Sequence, residues 1–316
     1  MKIALAITAI VAAACSPLAA KPFASATLLP GGTVESEVHG DYGKAALFEA
    51  GSISKFACTL AALRLDERGV LDIDQPLGQL LPRTADTPIA DIPFRHVLAS
   101  RSGIADGLMP AFQSDPQSVM ATPDAITAVL RYASGEPAAE AGTKWSYDLV
   151  NWIVVQAVIE QATRRPVADV IASEVIAPAG MTQSRMFIGT IGAGAQEPVS
   201  SGIPIPGFLT CAGGLATTPQ DLIALARFPH KGGLGAASLQ ALTTVTTPDE
   251  GYTLGGRYAD PDGDGKAWVS WQSGSNGAYK SLVVYDPASD TGFAAMTASD
   301  DEGVIHAARA DWLNAR

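Results

Sequence analysis

Three short runs near the start of the chain, Ala24 to Leu29, Thr33 to His39 and Ala45 to Ala50, read as strands. Gly31-Gly32 and Gly40-Asp41-Tyr42-Gly43 separate them as turns. The apolar spacing then changes. From Ser54 to Leu65 it is helical, and Gly69 ends that segment. The middle of the chain continues as helices and loops, with helices predicted over Ser118 to Tyr132, Leu149 to Thr163 and Val167 to Ile176, the first with a new turn at Thr122-Pro123. Pro219 to Phe228 is a further helix, with Thr218 placed to cap it and Pro219 at its first position. Strand patterns return at Val269 to Gln272, Lys280 to Tyr285 and Gly292 to Met296, and an amphipathic helix from Glu302 to Asn314 closes the chain. Strands at both ends around a helical middle predict an α+β fold: one antiparallel sheet assembled from both termini, flanked by helices, with a mainly helical lobe inserted.

A chain of 316 residues can bury a large core, and its 47% apolar and 17% charged residues describe a globular protein. A net charge of −11 argues against nucleic acid or an anionic membrane surface as partner. Residues 1–20 read as an export signal: Met1-Lys2 is a basic start, Ile3 to Ala14 a short apolar run, and Leu18-Ala19-Ala20 a cleavage site. That run is too short to span a bilayer as a finished helix. Ala12-Ala13-Ala14-Cys15 also resembles a lipoprotein box, although its first position lacks the preferred Leu, so a lipid anchor at Cys15 stays open. The expected location is periplasmic or secreted, with the anchored form as the variant. An oxidising compartment would permit a bridge between Cys58 and Cys211, but two buried small side chains is the preferred reading, since sequence does not show their separation.

Chemistry concentrates at Gly51-Ser52-Ile53-Ser54-Lys55. If Ser52 opens a helix, Lys55 lies one turn along on the same face, within reach of the serine oxygen. An amine so placed suits activation of a hydroxyl nucleophile without histidine. The run resembles the active-site start of the serine β-lactamase-like hydrolases, a family covering class C β-lactamases, D-alanyl-D-alanine carboxypeptidases, D-aminopeptidases and β-lactamase-fold esterases. Further stretches resemble that family in its own order: Gly69-Val70-Leu71-Asp72-Ile73-Asp74-Gln75-Pro76-Leu77, Val97 to Ile104, Pro178-Ala179-Gly180-Met181, and Ala212 to Leu222. The resemblance covers nearly all of the chain after residue 20. It implies a β-lactamase/transpeptidase-like fold over 21–316, with a sheet lobe of 21–57 plus 204–316 and a helical lobe of 58–203.

The resemblance also implies roles. Lys144-Trp145-Ser146-Tyr147-Asp148-Leu149 matches the family's Tyr-x-Asn, so Tyr147 is the second base, workable if neighbouring cations stabilise its phenolate. Leu149 departs from the pattern where Asn would orient a substrate amide, and Asn151 falls on another face of the helix. Gln272-Ser273-Gly274 stands where Lys-Thr-Gly or His-x-Gly is the rule. There Ser273 keeps a hydroxyl, Gly274 allows close backbone approach, and Gln272 replaces a cation, so a weaker preference for anionic substrates is expected. The implied oxyanion hole is the backbone N–H of Ser52 and of Ser275. Which of Lys55 and Tyr147 is the effective base stays open, since coupled groups titrate as a unit.

The expected function is therefore an exported serine hydrolase that cleaves small esters, amides or peptides through an acyl-enzyme on Ser52. Leu149 and Gln272 favour an esterase or D-aminoacyl peptidase over a dedicated β-lactamase. A D,D-carboxypeptidase is one alternative, and a non-catalytic peptidoglycan- or partner-binding descendant is another. No cofactor and no metal is implied. His39, His96, His230 and His306 lie outside the motifs and read as surface or core residues, and no Gly-x-Ser-x-Gly elbow is present. Asp260 to Gly265 imitates a calcium loop but has Trp271 at its twelfth position, so it reads as a hairpin turn. Trp145, Trp152, Trp268 and Trp271 crowd the second and third motifs, as an aromatic rim or as core packing.

Overall fold

The computed structural model describes residues 21–43, 45–191, 202–259 and 269–315. The export signal with Cys15, the Asp260 to Gly265 turn and Trp268 lie outside the described residues.

Among the described residues, nine strands form two antiparallel sheets. The strands are β1 (Phe23–Leu28), β2 (Val34–His39), β3 (Phe48–Glu49), β4 (Arg185–Met186), β5 (Leu215–Thr217), β6 (Arg257–Ala259), β7 (Val269–Asn276), β8 (Tyr279–Asp286) and β9 (Thr291–Ala298). The large sheet runs β2-β1-β9-β8-β7-β6, so its two ends come from the two ends of the chain. Its central strand β8 is buried along nearly its whole length, whereas β2 carries the exposed Glu35 and Glu37 at the edge, where charge discourages pairing with another chain. The third predicted run departs from expectation. Only Phe48-Glu49 is extended, and it pairs with β5 in the small sheet β3-β5-β4, not with β1 and β2.

Five helices carry most of the packing: α1 (Ile53–Glu67), α2 (Ala125–Tyr132), α3 (Val150–Thr163), α4 (Pro219–Arg227) and α5 (Gly303–Asn314). Buried residues occur all round α1 and over Val150 to Ile159 of α3, as suits helices in the centre of a protein. α4 packs against one face of the large sheet, where Ala24, Leu28, Val283 and Met296 are buried; α1 meets that sheet at β7, and α3 packs on α1. The opposite face is covered by α5, through Ile305 and Trp312 on Leu282 and Phe293. The predicted helix at 118–132 is divided into Pro116–Met120 and α2, each started by an aspartate that accepts a backbone N–H: Asp115 from Ser118 at 3.0 Å and Asp124 from Thr127 at 2.7 Å. Thr218 caps α4 in the same way, accepting from Asp221 N–H at 3.2 Å.

Cys58 on α1 and Cys211 on the short helix Thr210–Gly213 are joined by a disulfide, with their Cα atoms 5.7 Å apart. This corrects the reading of two unlinked buried thiols. Both residues are fully buried, as that reading has it, but the tertiary fold brings together positions 153 apart in sequence. Among the described residues no helix is long and apolar enough to cross a membrane.

Candidate active site

Ser52 occupies the N-cap position of α1 and is held there from three sides. Ala50 N–H bonds to Leu215 C=O at 2.8 Å, Ser281 Oγ donates to Ala50 C=O at 2.9 Å, and Leu215 N–H bonds to Ser54 Oγ at 3.0 Å. Gly51 has φ +53°, and a Cβ there would fall 2.6 Å from Ser275 N, so only glycine fits. A Cβ on Gly274 would fall 2.0 Å from Ala50 C=O, so a second glycine is required where β7 presses on the nucleophile turn. The Ser273-Gly274-Ser275 run thus lies against Ser52, as the sequence places it.

Lys55 Nζ donates to Ser52 Oγ and to Ala212 C=O, both at 2.9 Å. The side chain is 2% exposed. Burial pushes its ammonium below the ordinary lysine range; the Tyr147 phenol and the Asp148 carboxylate oppose that shift, and Arg257 adds to it. Lys55 Nζ is 5.1 Å from the centre of the Tyr147 ring, and Tyr147, 39% exposed, lines the same cavity as Ser52. The turn that carries Tyr147 is fixed from below. Ser100, with φ +54°, accepts Ser146 N–H at 2.8 Å, and Asp148 Oδ1 accepts the backbone N–H and the amide of Asn151 at 3.1 and 2.7 Å. Asn151 is buried and also accepts from Ser102 Oγ at 2.6 Å, so it braces this turn and does not replace the missing Asn at Leu149.

The Ser275 backbone is oriented by its hairpin. Asn276 and Tyr279 close a two-residue turn, which makes Ser275 and Lys280 a pair without mutual hydrogen bonds. The Ser275 N–H therefore faces away from β8, towards Gly51 and Ser52.

Two cavities meet at Ser52. One, of about 310 Å³, is polar and includes Tyr147, Arg257, Trp271, Ser273, Lys280 and His306 in its wall. The other, of about 600 Å³, has Lys55 and Ser275 beside Ser52 and walls of Met109, Phe112, Leu149, Ile203 and Leu209. The second wall is tied down through Glu49. This buried carboxylate accepts Ile191 N–H at 3.0 Å and the Asn276 amide, and that amide also bonds Ile203 C=O at 2.8 Å.

Gln272 does not reach either cavity. Side chains alternate along β7, so Trp271 and Ser273 face the polar cavity while Gln272 faces the other way. Its amide accepts Arg257 N–H and donates to Arg257 C=O and Ser270 Oγ, all at 3.3 Å. The sequence reading that a neutral amide leaves the site without a cation is corrected by Arg257, which β6 places directly opposite Trp271. Its guanidinium lies 5.3 to 5.7 Å from the ring centres of Tyr147, Tyr252 and Trp271. Arg257 has no local signal in sequence, because its place is set by register with a strand more than ten residues on.

His306 is the other residue set aside by sequence that the fold returns to the site, on the first turn of α5. The remaining histidines stay outside it: His39 stacks on Phe23, His96 packs at Gly142, and His230 bonds Tyr258 OH at 2.7 Å, with burial pulling it down to about 4. The tryptophans divide. Trp152 is fully buried core, Trp145 lies tilted against Tyr147 and edge-on to Tyr252, and Trp271 lines the polar cavity.

Comparison with known proteins gives the family and the fold. A family-wide sequence model for Beta-lactamase matches residues 20–315. A penicillin-binding protein of Bacillus subtilis is 27% identical over 141 residues, 45% of this chain and 31% of its own length. Esterase EstB of Burkholderia gladioli is 30% identical over 181 residues, 51% of this chain and 46% of its own. The chain thus matches about a third to a half of the length of these curated relatives. The crystal structure of a D-stereospecific amidohydrolase from a Streptomyces species superposes with a TM-score of 0.76 at 20% identity, covering 90% of this chain and 92% of that one, which shows a shared fold. The chain belongs to the beta-lactamase family, serine hydrolases built on the β-lactamase/transpeptidase-like fold.

Proposed function

We propose that the protein is an exported serine hydrolase of small esters or amides, working through an acyl-enzyme on Ser52 with Lys55 and Tyr147 as proton carriers. The observation that carries this reading is the 2.9 Å bond between Ser52 Oγ and a buried lysine whose ammonium is disfavoured. A lysine held below its ordinary range gives up its proton more readily, and a free amine can take the serine proton.

Ser52 Oγ attacks the substrate carbonyl carbon, and its proton passes to Lys55 or on to Tyr147. The carbonyl oxygen gains the negative charge. The backbone N–H groups of Ser52 and Ser275 and the N-terminus of α1 stabilise it there. Tyr147 returns a proton to the leaving oxygen or nitrogen as its bond to the carbonyl carbon breaks. Water then adds to the acyl-enzyme by the same route, releasing the acid and restoring Ser52. The disulfide supports export, since such bridges persist in oxidising compartments. The polar cavity around Arg257 gives one specific argument for the second reading, a cell-wall carboxypeptidase, because a guanidinium suits a substrate carboxylate.

The test pairs wild type with Ser52→Ala on p-nitrophenyl butyrate and a fluorescent penicillin. Ser52-dependent release of nitrophenol, lost at least a thousandfold in the variant with its Tm unchanged, is the expected result. A lasting penicillin label without ester turnover would shift the assignment to the carboxypeptidase. Neither turnover nor label would leave a binding protein.

A further inference from the structure

We infer that the 600 Å³ cavity beside Ser52 receives an apolar acyl group, so that the preferred substrates are esters of apolar carboxylic acids, and that Leu149 is the residue that sets this preference. The inference rests on the acyl-enzyme chemistry proposed at Ser52.

Placement of Tyr147, which protonates the leaving atom, assigns the two cavities. Tyr147 lines the polar one, and a group that protonates the leaving atom must lie beside it. The leaving group therefore occupies the side of Arg257, and the acyl substituent falls into the opposite cavity with Leu149. That second cavity is built for apolar contact. Leu149 presents a branched hydrocarbon where the resemblance calls for an amide, and Met109, Phe112, Ile203 and Leu209 continue the wall. The Asn276 amide in the same wall is taken up by the buried Glu49 carboxylate and Ile203 C=O, where it holds the wall in place.

The surface carries an independent sign. Six large hydrophobic side chains are exposed among the described residues, and three of them, Met109 at 43%, Met120 at 42% and Ile203 at 63%, stand around this one cavity. Exposed apolar side chains gathered at one opening mark a ligand site, whereas scattered ones mean little. The volume lies within the ordinary range for small-molecule sites, and two methionines give a wall that adapts to chains of different length.

The experiment is a series of p-nitrophenyl esters from acetate through butyrate to octanoate, measured as kcat/KM. Each buried methylene should raise kcat/KM about three- to fourfold until the cavity is full. In Leu149→Asn the octanoate-to-acetate ratio should fall at least tenfold. Met109→Ser combined with Met120→Ser, at exposed positions that leave folding intact, should lower the same ratio. Val70→Ser, an exposed apolar side chain outside both cavities, should leave it unchanged. Ser52-dependent acetate turnover with a flat or falling series in wild type would overturn this inference and leave the proposed function standing. An unchanged ratio in both Leu149→Asn and the methionine variant would overturn it too. Absence of Ser52-dependent turnover on every ester would overturn both.

Discussion

Lys55 has two acceptors, Ser52 Oγ and Ala212 C=O, and almost no contact with water. Its proton balance is set by burial first and by three neighbouring groups after it. Arg257 is the neighbour whose removal has an unambiguous sign. Its positive charge disfavours the ammonium, so Arg257→Gln should let Lys55 keep its proton to higher pH. If Lys55 must be neutral to accept the serine proton, kcat/KM on the neutral p-nitrophenyl acetate falls tenfold per pH unit on the acid side. That limb should move to higher pH in the variant. A pH–rate profile of both proteins decides it. A limb that stays put or moves down would detach Lys55 from the proton-accepting step. The uncharged ester keeps any direct pull of Arg257 on substrate charge out of the comparison.

At the scale of elements, the turn into α3 places Tyr147, and Asp148 is its fixing point. One carboxylate oxygen accepts both the backbone N–H and the amide of Asn151, as a helix-starting cap does. Asp148→Ala should cost about 1–2 kcal/mol and lower Tm by a few degrees. It should also reduce kcat at least tenfold, because Tyr147 is the adjacent residue. Thermal melts with steady-state kinetics test the pair, and a lower Tm with kcat intact would make Asp148 a cap and nothing more. The same scale explains which parts of the site were legible in sequence. Ser52 and Lys55 sit three apart on one helix, a local relation that spacing reveals. Ser273 and Gly274 were found because their strand reads as a strand, but the face that Gln272 takes depends on pleat and register, and these follow from pairing with β8 and β6. Arg257 was invisible for the same reason. Phe48-Glu49 reads as part of a strand run in the single sheet predicted, yet it pairs with β5 in the small sheet, a partner from far along the chain that no local pattern names.

For the whole molecule, the disulfide joins the chain's two contributions to the site. Cys58 lies one turn beyond Lys55 on α1, and Cys211 precedes Ala212, whose carbonyl accepts the Lys55 ammonium. The bridge therefore closes a loop of 153 residues and pins an acceptor of the active lysine in a single link. In the chain-entropy description a loop of that length is worth about 5 kcal/mol, chiefly by restricting the unfolded chain. Replacing both residues, Cys58→Ala with Cys211→Ala, should lower Tm by about 8 °C, since an unfolding entropy of about 2.1 cal/mol/K per residue makes a kcal/mol worth about 1.6 °C in a chain of roughly 300 residues. It should also reduce kcat at 25 °C severalfold, where the variant remains folded, because Ala212 C=O loses its tether. The two readouts separate two roles. A fall in Tm with kcat unchanged would leave the bridge as a stabiliser of the fold alone, and no fall in Tm would mean that the core around α1 and α3 already holds these segments without it. A fall in both would show that a link made far apart in sequence helps to set the chemistry of a pair made three residues apart.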